Sequence, residues 1–257
     1  MKVGLTQEQV KAGIDALAGI DANFARALDH AGYPEPRIRE RGYATLLRTI
    51  VGQQVSVAAA TSIWNKLEAQ FGAGCPVEAV AAADFDTLRA CGLSGQKQGY
   101  AKSLAQLVLD GELTFDALPA DDEEAIALLT RVKGIGRWSA EIYLLFAEGR
   151  PDIWPAGDLA VQEAVGRILQ LGARPGEKEA RALAEAWRPH RGAAAIFSWH
   201  CYNMAVSSTA RPVSSPPFLS PRAFSSPALS WPPPFSARPF SFPWPAPSPS
   251  ARRSARL

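Results

Sequence analysis

Cysteine is scarce in this chain of 257 residues: Cys75, Cys91 and Cys201 stand far apart, with no paired spacing. Such a set makes neither a zinc site nor a four-cysteine iron–sulfur cluster, and reads as free thiols in a reducing compartment. Histidine is as sparse. His30, His190 and His200 show no ligand spacing, so no metal-dependent chemistry and no required cofactor are expected. No apolar run approaches the roughly twenty residues of a membrane span. The N-terminus carries no signal-peptide core, so a soluble, cytoplasmic protein with no membrane partner is expected. Neither a strand pair nor a hairpin turn is legible before residue 204. Lysine, aspartate and glutamate are missing altogether from residues 205–257.

That last absence divides the chain. Residues 205–257 hold six arginines and 13 of the 21 prolines, among many serines and interspersed phenylalanine and tryptophan. Proline removes backbone donors and serine adds nothing to a core, so a disordered tail with some polyproline II is expected. It reads either as a partner-binding segment or as the product of a reading-frame change that replaced the original C-terminus. Sequencing the source DNA through codon 204 separates the two, since an intact frame there excludes the second. Without the tail, 21 basic residues face 25 acidic ones, a net of −4. A polyanion must therefore be bound by a local patch and backbone amides, not by a global field.

Residues 1–204 are read as helical throughout. Thr6 caps a first helix striped by Val10, Ile14 and Leu17, and Asp21 caps a second with Phe24 and Leu28 inward. The Tyr-Pro-Glu-Pro-Arg stretch at 33–37 forms a loop. Leu46, Leu47, Ile50 and Val51 mark a third helix, which Gly-Gln-Gln-Val at 52–55 interrupts before Ser56 caps a fourth. Short helices are expected over 76–82 and 85–90, then a loop over 91–97 and a longer helix bearing Tyr100, Leu104 and Leu107. Two more span 177–187 and 190–202. The fold class is all-α.

The centre of the chain is more specific. An apolar stripe through Ala125, Ile126, Leu128, Leu129 and Val132 stops at Gly134, and another starts with Trp138, Ile142, Leu145 and Phe146. Two helices so close in sequence fold back on each other. Gly134 and Gly136 permit positive φ and close approach of a partner. The amides of Ile135, Gly136 and Arg137 open the second helix, where backbone N–H groups lack acceptors and suit an anion such as phosphate. Lys133 and Arg137 add positive charge. A Gly-x-Gly turn is equally what an ordinary glycine-capped helix end shows. Asp158, just ahead of an apolar helix (Leu159, Val161, Val165, Ile168), reads as an N-cap on its own.

Four motifs occur in order: Gly-Gln-Gln-Val-Ser at 52–56, Gly-Leu-Ser-Gly-Gln-Lys at 92–97, Val-Lys-Gly-Ile-Gly-Arg-Trp-Ser-Ala at 132–140, and Pro-Ala-Gly-Asp at 155–158. Together they resemble the helix-hairpin-helix glycosylase superfamily, and within it the alkylation-repair 3-methyladenine glycosylases of the AlkA type. The likeness covers roughly residues 5–203. It has no counterpart for the β-rich N-terminal domain of the longest members. It implies a two-lobed helical domain over 1–204, one lobe from about 1–37 and 155–204, the other from about 38–154 with the hairpin at 125–147.

The resemblance implies an enzyme that hydrolyses the N-glycosidic bond of alkylated, cationic purines in double-stranded DNA, acting as a monomer at the nucleoid. Asp158 matches the family's essential aspartate. A carboxylate there stabilises positive charge developing on the deoxyribose. Trp138 stands where bifunctional relatives carry a Schiff-base lysine, which implies a monofunctional enzyme without strand cleavage. Trp138 and Trp199 match aromatic walls of the base pocket, and a π-face attracts a cationic base by roughly 0.5–2 kcal/mol. Either residue is also an ordinary core aromatic. Ile142 takes a pocket position that is Tyr in some relatives. Gln53 and Gln54 match the loop that enters the minor groove, Gln54 filling the gap left by the everted nucleotide. As plain loop residues they cap neighbouring helices. Lys97, Lys133, Gly134, Ile135, Gly136 and Arg137 match phosphate-contacting positions. The carbonyls of Thr130, Val132 and Ile135 match a structural Na⁺ or K⁺ site. The competing readings are a glycosylase for uracil or an oxidised base, and a DNA-binding module without chemistry.

Overall fold

The computed structural model describes residues 4–209, with side chains to residue 205. The composition and frame expectations for the tail otherwise lie outside the described residues. Twelve α-helices and two short 3-10 turns account for the regular structure, and apart from an isolated bridge residue at Glu40 no strand occurs among the described residues.

Most helix starts follow from local capping. The Thr6 hydroxyl accepts the Gln9 amide while the Gln9 side chain accepts the Thr6 amide, a capping box that opens α1 (Gln7–Ile20). Asp21 caps α2 (Ala22–Ala31) through the Asn23 amide. The chain then runs extended through Pro34 and Pro36 to α3 (Tyr43–Gly52), and Ser56 caps α4 (Val57–Phe71). Short helices α5 (Val77–Ala82) and α6 (Phe85–Ala90) precede α7 (Gly95–Leu109). The loop expected over 91–97 therefore ends early, and Lys97 lies in the first turn of a helix.

Asp121 caps α8 (Asp122–Thr130), and α9 (Arg137–Phe146) follows after six residues. Asp158 caps α10 (Leu159–Ile168). The helix expected over 177–187 is α11 (Glu177–Leu183) tightened into a 3-10 turn at Ala184–Trp187. The last helix, α12 (Arg191–Thr209), runs past the composition change near residue 204.

Contacts sort the helices into two sets. In one, α1 packs on α2 and α12, and α10 packs on α12, α2 and α11; in the other, α3 packs on α4, α7 and α9, with α5 and α6 against α7 and α8 against α9. One buried cluster runs through both sets, from Ile14, Leu17 and Phe24 to Leu46, Ile50, Leu104 and Tyr143. Burying a side chain of this kind stabilises by about 1.5–3 kcal/mol. Trp187 meets Phe24 edge-on at 5.1 Å and Trp154 at 5.2 Å. Near the start of α3, the Tyr143 hydroxyl accepts the Gly42 amide at 2.8 Å and donates to Glu148 at 3.0 Å. Arg41 holds the same Glu148 at 2.8 Å, so the start of α3 is fixed to the end of α9. No helix among the described residues is long and apolar enough to cross a membrane.

Candidate active site and nucleic-acid interface

Three helices converge on one carboxylate. Asp158 ends the bend at 155–157, which is stiffened by the Asp158 amide on the Pro155 carbonyl at 2.9 Å. The buried Gln162 side chain adds a bond to the Ala156 carbonyl at 2.7 Å. As the cap of α10, Oδ1 of Asp158 accepts the amides of Ala160 at 2.9 Å and Val161 at 3.0 Å. It also accepts the indole N–H of Trp199, from α12, at 3.2 Å. Oδ2 accepts the indole N–H of Trp138, from the first turn of α9, at 2.9 Å. Three donors saturate Oδ1. Oδ2 accepts the Trp138 indole and keeps a further lone pair, so it is the oxygen able to meet an electrophile.

The surroundings are apolar but open. Trp138 is 36% exposed, while Leu159, which follows Asp158 directly, is 62% exposed. Residue type alone groups Leu159 with Val161, Val165 and Ile168, but at 3.6 residues per turn it stands about 200° around α10 from Val161, on the opposite face. Phe146 packs on Trp199 at 5.6 Å between ring centroids, and the guanidinium of Arg39 lies over Phe146 at 5.5 Å. Burial pushes the Arg39 charge down to about 10. Ile142, one turn beyond Trp138 on α9, is buried in the core. A polar groove of about 580 Å³ between Asp121, Arg150, Asp152 and Arg191 includes neither Asp158 nor Trp138.

The hairpin turn lies at residues 131–136. Gly134 has φ +81°, and a Cβ there would stand 2.2 Å from the Tyr100 ring, so α7 requires glycine twice over. Gly136 differs from expectation: its φ is −88°, an extended N-cap geometry open to any residue, and a Cβ on it would meet nothing within 4 Å. The bare backbone there is not needed for packing. The Ile135 amide is also not free, since it closes the turn onto the Val132 carbonyl at 3.0 Å, and the Ile135 side chain is buried. This leaves the amides of Gly136 and Arg137 at the start of α9, which no side chain caps.

Two of the expected phosphate contacts are engaged elsewhere. Lys97 is buried, and its ammonium donates to the Val51 carbonyl at 2.8 Å, in the last turn of α3. Burial pushes that ammonium below the ordinary lysine value. Its charge serves a helix end, not an open surface. Arg137 is gripped by Glu123 at 2.8 and 2.5 Å and by the buried Glu141 at 2.9 Å. Arg181 joins Glu141 to Glu177, extending the chain of ion pairs to α11. Desolvation raises Glu141 against the pull of both arginines. Lys133 is exposed, and its amide donates to Ser103 on α7 at 3.2 Å. Gln53 donates from Nε2 to the Gly134 carbonyl at 2.8 Å, and Gln54 is exposed with φ +54°.

Comparison with known proteins agrees with this geometry. The family model described as "HhH-GPD superfamily base excision DNA repair protein" matches residues 47–189. The chain is 32% identical over 196 residues to DNA-3-methyladenine glycosylase 1 of Schizosaccharomyces pombe, covering 74% of this chain and 86% of that protein. The structure of the S. pombe 3-methyladenine DNA glycosylase in complex with abasic DNA superposes with a TM-score of 0.64, covering 73% of this chain and 95% of that one. A DNA-3-methyladenine glycosidase from Bacillus halodurans, 27% identical, superposes at 0.69 over 76% of this chain and 91% of that one. Helical hairpin, capped aspartate and sequence likeness coincide over the same residues, and the chain belongs to the HhH-GPD superfamily of base excision DNA repair proteins.

Proposed function

We propose that this chain is a monofunctional DNA glycosylase that releases alkylated purines such as 3-methyladenine from double-stranded DNA. The observation that carries the reading is the carboxylate of Asp158 held between the indoles of Trp138 and Trp199, beside an uncapped helix start. The relatives, a DNA-3-methyladenine glycosylase and a DNA-3-methyladenine glycosidase by name, supply the lesion class.

Breaking the bond between C1′ and the base nitrogen sends the bonding electrons to the base and leaves positive charge on the sugar. A cationic alkylated purine departs as a neutral base and needs no acid. Oδ2 of Asp158 faces the developing charge and accepts a proton from the water that attacks C1′, so hydroxyl replaces base. The exposed face of Trp138 receives the everted base. The amides of Gly136 and Arg137 and the side chain of Lys133 hold the phosphodiester backbone, and Gln54 enters the vacated stack. No amine stands at position 138, so no Schiff base forms and the abasic site remains intact. The carbonyls of Thr130, Val132 and Ile135 are the groups that would hold a monovalent cation. The Val132 carbonyl, with one lone pair on the Ile135 amide, keeps another for it.

The test is base release from duplexes that each bear one lesion, assayed with and without alkali. Free alkylated purine and alkali-dependent strand breaks are expected. Release of uracil or an oxidised purine in preference would reassign the substrate. A covalent adduct trapped by borohydride would overturn the monofunctional assignment.

A further inference from the structure

Between the hairpin turn and the loop at 52–55 runs a set of contacts that the chemistry above does not use. On α7, three residues at three-residue spacing form one oblique stripe. Lys97 holds the Val51 carbonyl at 2.8 Å, just ahead of the loop. Tyr100 fills the space that a side chain at Gly134 would need. Ser103 accepts the Lys133 amide at 3.2 Å. The loop and the turn are also tied directly, by Gln53 Nε2 on the Gly134 carbonyl at 2.8 Å. Just beyond both ties Gln54 is left exposed, with its backbone in the left-handed region at φ +54°.

We propose that Lys97 and Gln53 are positioning residues for base eversion, locking the wedge loop to the hairpin so that Gln54 is presented rigidly where the hairpin grips the strand. This rests on the reading of residues 52–55 as the wedge. A loop ordered only upon DNA binding would lose its conformational freedom at that moment and offset less of the unstacking cost. Here both ties are made with no DNA bound. The same ties make grip and insertion a single motion: a strand seated on the turn meets Gln54 at a distance fixed by α7.

The experiment compares two duplexes whose single adenine is methylated at N3, facing either thymine or an abasic analogue. Opposite the analogue no base pair has to be broken. Gln53→Ala and Lys97→Met are each expected to slow single-turnover release from the paired lesion about five- to tenfold, the range for one lost hydrogen bond. Release from the unpaired lesion should change less than about twofold in the same variants. A merely structural defect would lower both rates together. Gln54→Ala serves as the reference for loss of the wedge itself. If Gln54→Ala is selective for the paired lesion and Gln53→Ala is not, the clamp is overturned and the wedge stands. If Gln54→Ala shows no selectivity, the wedge reading falls and the clamp with it. Should Lys97→Met fail to fold, Gln53→Ala decides alone, because its bond lies at the exposed edge of the turn.

Discussion

Trp138 and Asp158, twenty positions apart, meet through an indole N–H that donates to Oδ2 across 2.9 Å. The bond fixes the ring against the Asp158 carboxylate, so the two side chains cannot move independently. Trp138→Phe keeps a π-face and deletes the donor. A hydrogen bond to a charged group contributes about 1.5–3 kcal/mol, so single-turnover base release should fall roughly 10- to 100-fold. DNA affinity, measured on an uncleavable duplex, should hold within a factor of about two. An unchanged rate would leave the indole with packing as its only role.

Asp158→Asn separates capping from chemistry. Asparagine is as good an N-cap as aspartate, so its oxygen can keep the Ala160 and Val161 amides and the melting temperature should stay within a few degrees. Its NH₂ then faces the Trp138 N–H, donor against donor, and the negative charge is gone. Base release is expected to fall about a thousandfold, the upper range for removing one electrostatic stabiliser of a transition state. Gel-shift binding to the lesion duplex should persist. A variant that turned over normally would remove Asp158 from the reaction.

The two glycines of the turn predict opposite phenotypes. Gly134→Ala forces a methyl group into the Tyr100 ring at positive φ, and a thermal melt should show a loss of about 1–3 kcal/mol. Gly136→Ala meets open space at an ordinary φ, so stability should change by less than about 0.5 kcal/mol. The added methyl group nevertheless stands where a phosphate would approach the first amides of α9. DNA binding by Gly136→Ala should weaken about tenfold or more while the melt stays level. Wild-type affinity would show that no strand approaches that backbone.

Much of the fold was legible because its signals are local. Thr6, Asp21, Ser56, Asp121 and Asp158 each cap a helix through an amide two or three residues ahead, within reach of a sequence pattern. Asp158 and Trp138, which the structure brings together, were legible too, each inside a motif. What a charged side chain does was not. Lys97 finds its partner 46 positions away and Gln53 finds its own 81 away, while the Glu123 that holds Arg137 lies on the other helix of the hairpin. Such pairings are set by packing, whereas motif position alone assigns Lys97 and Arg137 to phosphate and Gln53 to the minor groove. Gly136 shows the same limit in the backbone: residue type permits positive φ, but only the folded turn chooses it, and it chooses Gly134 alone of the two.

The Arg137–Glu123 pair supplies a prediction about salt. Its carboxylate occupies the Arg137 guanidinium, yet the Glu123 side chain is 67% exposed, so the pair adds no more than about 1 kcal/mol to stability. Glu123→Gln should therefore fold normally and release Arg137 from its bidentate partner, with Glu141 still orienting the side chain from below. If the freed guanidinium takes up a phosphate, the slope of log K against log salt steepens by about 0.9, the value for one more contact on B-form DNA. Affinity at low salt rises with it. Lys133→Gln should do the reverse, flattening the slope by about the same amount and weakening binding uniformly across sequences. Binding isotherms between about 50 and 200 mM salt resolve both effects. Parallel lines for wild type and Glu123→Gln would mean that Arg137 stays with the protein when DNA binds, and that the strand is gripped by Lys133 and the backbone of the turn alone.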